Sequence, residues 1–279
     1  MNLQVFIRCF LVGLTYAIAS AVVAALLGSM TRLAPSLENF VVWVITGTLV
    51  CLALSPFIRN STRSHQYTIV ATWVVLGLVR SVGLGIEGAL FKPTASMDAV
   101  VGALFGVLVS SLVAWLSVRL LMPVNRDAQK HAGNPKSWWG WTWRILVVGL
   151  SFFVFYFVFG ATNAFLYTRS FYENNPQYGL SLPQTGIIFL AQLIKGPLFG
   201  LGVFFITRTA QGARRQVAMW LGSLLFIVGG FAPYLETTFR TMPLGFNVAT
   251  LIEIFLQNFL TGVVAVFLYI PRSKQSMDA

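Results

Sequence analysis

Three ionisable side chains, Arg80, Lys195 and Glu253, interrupt stretches of sequence that are otherwise apolar. At bilayer depth a charge costs about 2.5 to 3.5 kcal/mol on insertion scales, so such residues mark ion pairs, ligand sites or ion pathways. A buried base can hold an anionic group; a buried carboxylate can hold a cation or a proton. Lys195 stands in Gln192-Leu193-Ile194-Lys195-Gly196-Pro197. Gly196 weakens a helix and Pro197 removes a backbone donor, which predicts a kink at the charge. Gln192, Gln257 and Asn258 add uncharged polar groups that could line the same space or join helices to one another.

These residues need apolar elements to hold them, and the sequence supplies eight. The stretches 5–28, 39–58, 67–87, 98–121, 145–167, 185–206, 215–235 and 248–270 are each of about the 20 residues that cross a bilayer. With 57% hydrophobic residues, 10% charged residues and a mean hydropathy of +0.76, the composition excludes a water-soluble domain. The expected fold is an all-α polytopic membrane protein. The net charge of +11 does not indicate nucleic acid, because the bases are spread over the loops rather than gathered on one soluble face.

The loops predict orientation. If the N-terminus is cytoplasmic, 13 of the 19 basic residues fall on that side: Arg8, Arg59, Arg63, Arg119, Arg126, Lys130, Lys136, Arg144, Arg208, Arg214, Arg215, Arg272 and Lys274. Arg32, Lys92, Arg169 and Arg240 remain on the other side, with five of the eight acids. The positive-inside rule then places both termini in the cytoplasm of a plasma (inner) membrane.

The two halves resemble each other. Arg8-Cys9-Phe10-Leu11-Val12-Gly13-Leu14-Thr15 opens the first stretch and Arg144-Ile145-Leu146-Val147-Val148-Gly149-Leu150-Ser151 the fifth, with Arg, Val, Gly and Leu shared. Gly47 and Gly196, Arg59 and Arg208, and Glu87 and Glu236 match at a constant spacing of 149 residues. Four spans per half is an even number, so both halves enter the membrane the same way round, as parallel repeats. The expected layout is a first repeat over 1–122, a basic, Trp-rich cytoplasmic connector over 123–144 and a second repeat over 145–279. Trp138, Trp139, Trp141 and Trp143 beside Lys136 and Arg144 suit a headgroup layer. Residues 168–184 form the larger irregular piece expected on the opposite side.

Depth pairs the charges provisionally. At 1.5 Å per residue Lys195 lies about 15 Å into its span, near the midplane. Arg80 and Glu253 come out at similar depths near the outer side, which makes them candidate partners; a structural clasp and a ligand-binding role are both open for that pair. Pairing of Glu253 with Lys195 instead would free Arg80 for an anion. Glu87 and Glu236, at the outer ends of their spans ahead of Lys92 and Arg240, are candidates for an outer gate or for helix ends in water.

The only histidines, His65 and His131, fall in loops, and HExxH, GxSxG, P-loop and paired intramembrane aspartates are missing from the sequence, so no catalytic residue, cofactor or metal is expected. Cys9 and Cys51 have no CxxC context. The leading expectation is a transporter or flippase-like permease for an anionic small molecule or lipid headgroup, with a polar cavity between the repeats. In it Lys195, Arg80, Glu253, Gln192, Gln257 and Asn258 would contact the substrate. The alternatives are a non-catalytic membrane subunit or assembly factor with structural buried charges, and, less supported, a lipid-modifying membrane enzyme. The partners expected are the lipid bilayer and such an anion; an oligomer is open and nucleic acid is not expected.

Overall fold

The computed structural model describes residues 2–26, 36–91, 96–123, 137–178 and 184–270, and these contain helices and no strands. Eight helices are long and apolar enough to span a membrane: α1 Leu3–Leu26, α2 Leu37–Arg59, α3 His65–Leu90, α4 Ala99–Leu121, α5 Trp138–Asn174, α6 Thr185–Thr207, α7 Arg214–Thr237 and α8 Leu244–Tyr269. In hydrocarbon every backbone polar group must find a partner within the chain, and a helix does this locally. Eight such helices mark an integral membrane protein. The connector residues 124–136, with Arg126, Lys130, His131 and Lys136, lie outside the described residues. So do Arg32, Lys92 and residues 271–279.

Side-chain hydroxyls set several helix starts. Ser36, Ser64 and Ser137 each accept a hydrogen bond from the backbone N–H three residues on, at Asn39, Tyr67 and Gly140. The Ser137 cap moves the start of α5 ahead of position 145, so the four tryptophans belong to its first turns rather than to the connector. At its other end α5 runs on to Asn174, and the irregular piece expected from 168 begins as helix. α6 is assigned as one continuous helix from Thr185 to Thr207 with Pro197 inside it, and the changes of helical pitch fall in other helices. Wider π-type turns occupy Leu76–Val82 in α3, Ala164–Thr168 in α5 and Ile227–Phe231 in α7.

Burial distinguishes the inner helices from the outer ones. More than half of the apolar window is buried in α2, α3 and α7 (56%, 56% and 61%), against 17% in α4 and α5. The outer helices present Leu104, Leu108 and Leu112 of α4 and Leu150, Val154 and Val158 of α5 as an exposed apolar surface suited to lipid. α3 and α7 touch through their π segments; α3 also packs on α6, and α7 on α2.

Two glycine crossings fix the closest helix pairs. A Cβ on Gly47 of α2 would come within 2.9 Å of the Gly13 Cα of α1. A Cβ on Gly149 of α5 would come within 2.7 Å of the Gly196 carbonyl carbon of α6. Side chains at either crossing would force the backbones apart, which is the reason glycine is required there.

Contacts at the helix ends sort those ends into two faces. Arg8 donates to the Leu120 carbonyl at 2.7 Å, and Arg63 Nε to the Arg208 carbonyl at 3.4 Å. One face therefore carries the start of α1, the end of α4 and the α2–α3 and α6–α7 loops. The opposite face carries the Arg240–Glu38 ion pair at 2.6 Å.

Candidate functional site

α3 brings Arg80 into the interior on its π segment, and α7 brings Glu236 five residues beyond its own π segment. Arg80 Nη2 donates to Glu236 Oε1 at 2.5 Å, with side-chain exposures of 8% and 10%. The same carboxylate oxygen accepts from the Tyr16 hydroxyl of α1 at 3.0 Å and from Thr46 Oγ1 of α2 at 2.5 Å. Arg80 Nη2 also donates to the Tyr16 oxygen at 2.7 Å, and the guanidinium lies 4.8 Å from the Tyr16 ring centroid. Four helices thus meet on one carboxylate, and a paired, hydrogen-bonded charge is the form in which burial is tolerated.

Two spaces adjoin this pair. A cavity of about 40 Å³, large enough for water, is lined by Arg80, Tyr16, Ser81, Ser110 and Gly106, among others, all on α1–α4. A larger depression of about 380 Å³, on the face that carries the Arg240–Glu38 pair, is lined by Glu236, Thr237, Arg240, Glu38 and Asn39, at the end of α7 and the start of α2. Arg80 borders the first, Glu236 the second, and their ion pair stands between them. The depression lies where the start of α2 meets the end of α7, whereas the cavity lies within α1–α4.

Lys195 lines neither space. It is 4% exposed and forms an ion pair with Glu87 of α3, whose side chain is 36% exposed. Its Cε lies 3.2 Å from where a Cβ of Gly83 would stand, so Gly83, one turn below Glu87, gives the lysine stem room along α3. The ammonium is 5.2 Å from the Phe152 ring centroid. Gln192, one turn before Lys195, is fully buried beside Tyr156, and neither its amide oxygen nor its nitrogen has a well-formed hydrogen bond.

Both pairings inferred from depth are corrected by this arrangement. Arg80 does not meet Glu253, because α8 packs on α5, α6 and α7 while α3 packs on α4, α6 and α7. Glu253 does not meet Lys195 either; Asn163 of α5 donates to its Oε2 at 2.5 Å. Glu87 and Glu236, expected at helix ends beside Lys92 and Arg240, are instead the partners of the two buried bases. Arg240 turns to Glu38 and Asn39. Asn258 faces the Gly229–Gly230 step of α7, its amide nitrogen donating to the Ile254 carbonyl at 3.0 Å while its oxygen is unpartnered. Gln257 is buried on α8 and joins neither ion pair.

Tyr16 and Thr46 were missed from the sequence. One signal could have found Thr46: the 149-residue spacing that aligns Gly47 with Gly196 also aligns Thr46 with Lys195. Among the described residues no group of three or more His, Cys, Asp or Glu could hold a metal ion. No protein-family model, curated protein or solved structure matches the chain.

Proposed function

We propose that the protein is a plasma (inner) membrane permease, both termini cytoplasmic, that moves a small anionic solute or a lipid with an anionic headgroup. In this reading the Arg80–Glu236 pair is its gate. The observation that carries the proposal is the position of that pair between the depression at the ends of α2 and α7, which this reading takes as the outer one, and the small cavity within α1–α4. An entering anion offers Arg80 the same charge and hydrogen-bond geometry as the carboxylate it displaces. Glu236 then turns to Arg240, which lies in the turn after α7 and lines the same depression. The positive-inside distribution supports the orientation.

The same proposal takes 1–122 and 145–279 as parallel repeats joined by 123–144. Its support is the equivalence of the Gly13–Gly47 and Gly149–Gly196 crossings, and of the π segments in α3 and α7. Tyr16 and Phe152, eight residues after Arg8 and Arg144, each carry a buried cation over the ring.

A second reading, a membrane subunit whose ion pairs only clasp helices together, is favoured by the three donors that hold Glu236. Thiol accessibility separates the two. In a Cys9→Ala, Cys51→Ala background, Ser81→Cys places a thiol on the inner cavity. The permease reading expects slow labelling by a membrane-impermeant methanethiosulfonate, accelerated several-fold by Glu236→Gln. Equal rates support the clasp. Proteoliposomes given labelled phosphate, acetate or fluorescent phosphatidylglycerol then identify the substrate, and Arg80→Gln abolishes its movement.

A further inference from the structure

The face that carries the start of α1 and the α2–α3 and α6–α7 loops holds a second polar cluster, distinct from both ion pairs. Trp141, in the second turn of α5, has the Arg144 guanidinium 5.5 Å from its ring centroid and that of Arg208, just past α6, at 5.2 Å. Arg144 also lies 5.2 Å from the Trp143 ring, and Arg208 5.4 Å from the Phe204 ring. Arg144 Nε and Nη1 are buried with no hydrogen-bond partner among the described residues. Tyr67, at the start of α3, has an equally buried and unpartnered hydroxyl within electrostatic reach of Arg208 and Arg63. Arg63 stacks on the Tyr67 ring at 5.5 Å and holds the Arg208 carbonyl.

Three guanidinium groups and a phenol therefore converge where α3, α5 and α6 end, and none of the three arginines has a carboxylate partner among the described residues. Stacking on aromatic faces orients a guanidinium but leaves its N–H groups unsatisfied. An orphaned buried donor costs free energy that an acceptor would recover. The acceptor that fits several guanidinium forks at once is a tetrahedral oxyanion. Exposed Trp138 and Trp139 at the start of α5 are aromatic side chains of the kind that sit at headgroup level.

We propose that Arg144, Arg208, Arg63 and Tyr67 form a binding site for a phosphate group, carried by an anionic phospholipid or free in solution. The site needs no transport cycle, so it stands or falls independently of the permease reading.

The test uses the full chain in detergent and in nanodiscs. Native mass spectrometry with phosphatidylglycerol against phosphatidylcholine should show preferential retention of the anionic lipid. Arg144→Gln with Arg208→Gln should weaken that retention roughly 10- to 100-fold, as expected for the loss of charge-assisted bonds. Arg208→Gln alone, at an exposed residue, gives a partial loss should the double variant not fold, and Tyr67→Phe a smaller one. Arg215→Gln, on the same face outside the cluster, should leave retention unchanged. Inorganic phosphate added without lipid distinguishes the sources: competition with phosphatidylglycerol indicates a site for free phosphate, and lack of competition a lipid site. Equal retention of the two lipids together with no binding of phosphate overturns the proposal. So does a loss as large in Arg215→Gln as in the cluster variants.

Discussion

The two buried ion pairs use acids at equivalent sequence positions, 149 residues apart, yet they are built differently. Glu236 is gripped by an arginine, a tyrosine and a threonine from three helices and is 10% exposed. Glu87 has a single donor among the described residues, Lys195, and is 36% exposed. In each case the base and the acid come from opposite halves of the chain: Arg80 reaches forward to Glu236, and Lys195 reaches back to Glu87. The planar guanidinium of Arg80 fixes direction as well as charge, whereas the lysine ammonium acts as a point charge on a flexible stem. The first pair is therefore a specified junction. The second is a looser contact at the edge of the bundle.

Removing each acid tests this contrast most strongly. Glu236→Ala leaves Arg80 uncompensated in the interior and should destabilise by about 3 to 5 kcal/mol. Thermal unfolding in detergent should register it as a large fall in midpoint. Glu87→Ala also strips a buried base, Lys195, of its carboxylate, but should cost less, about 2 to 3 kcal/mol, because the flexible lysine stem can carry its ammonium toward the partly exposed Glu87 position. Equal losses would remove the distinction between the sites.

Smaller changes sharpen it. Thr46→Val deletes one of three donors to Glu236 and should cost about 1.5 kcal/mol, within the range for hydrogen bonds to charged groups. Gln192→Leu near Lys195 should have the opposite sign, neutral or stabilising by up to about 1 kcal/mol, since the buried amide it removes has no well-formed hydrogen bond. A destabilising Gln192→Leu would show that the amide has a partner after all. Arg240→Gln, at the exposed rim, should cost under about 1 kcal/mol and less as salt rises.

The spans and the buried bases were legible because length and hydropathy are properties of contiguous sequence. Arg80 and Lys195 stand out against apolar neighbours whatever they touch. Their partners were not legible, because pairing depends on which helices adjoin, and depth alone places Arg80 level with Glu253 on a helix it barely meets. The π segment around Arg80 adds a second obstacle. An extra residue in one turn rotates the rest of the helix by about 100°, so a regular helical wheel misplaces Glu87 relative to the start of α3. Tyr16 and Thr46 gave no contrast, since hydroxyls are common in spans and usually bond their own helix. Thr15 and Thr48 do so, to the Leu11 and Val44 carbonyls. The tryptophans were legible as a cluster, but their association with Arg144 and Arg208 depends on α5 and α6 lying side by side.

The exchange of acids between halves also sets an order for biosynthesis. Arg80 is synthesised 156 residues before the carboxylate that neutralises it, which at about 5 to 20 residues per second is roughly 8 to 31 s. Glu87 likewise precedes Lys195 by 108 residues. During that interval α3 carries both an unmatched cation and an unmatched anion, and the insertion machinery must keep it in a wet or proteinaceous setting until α6 and α7 emerge. A chain stopped after α4 would thus release α3 with both charges unmet, which makes it a ready substrate for membrane quality control.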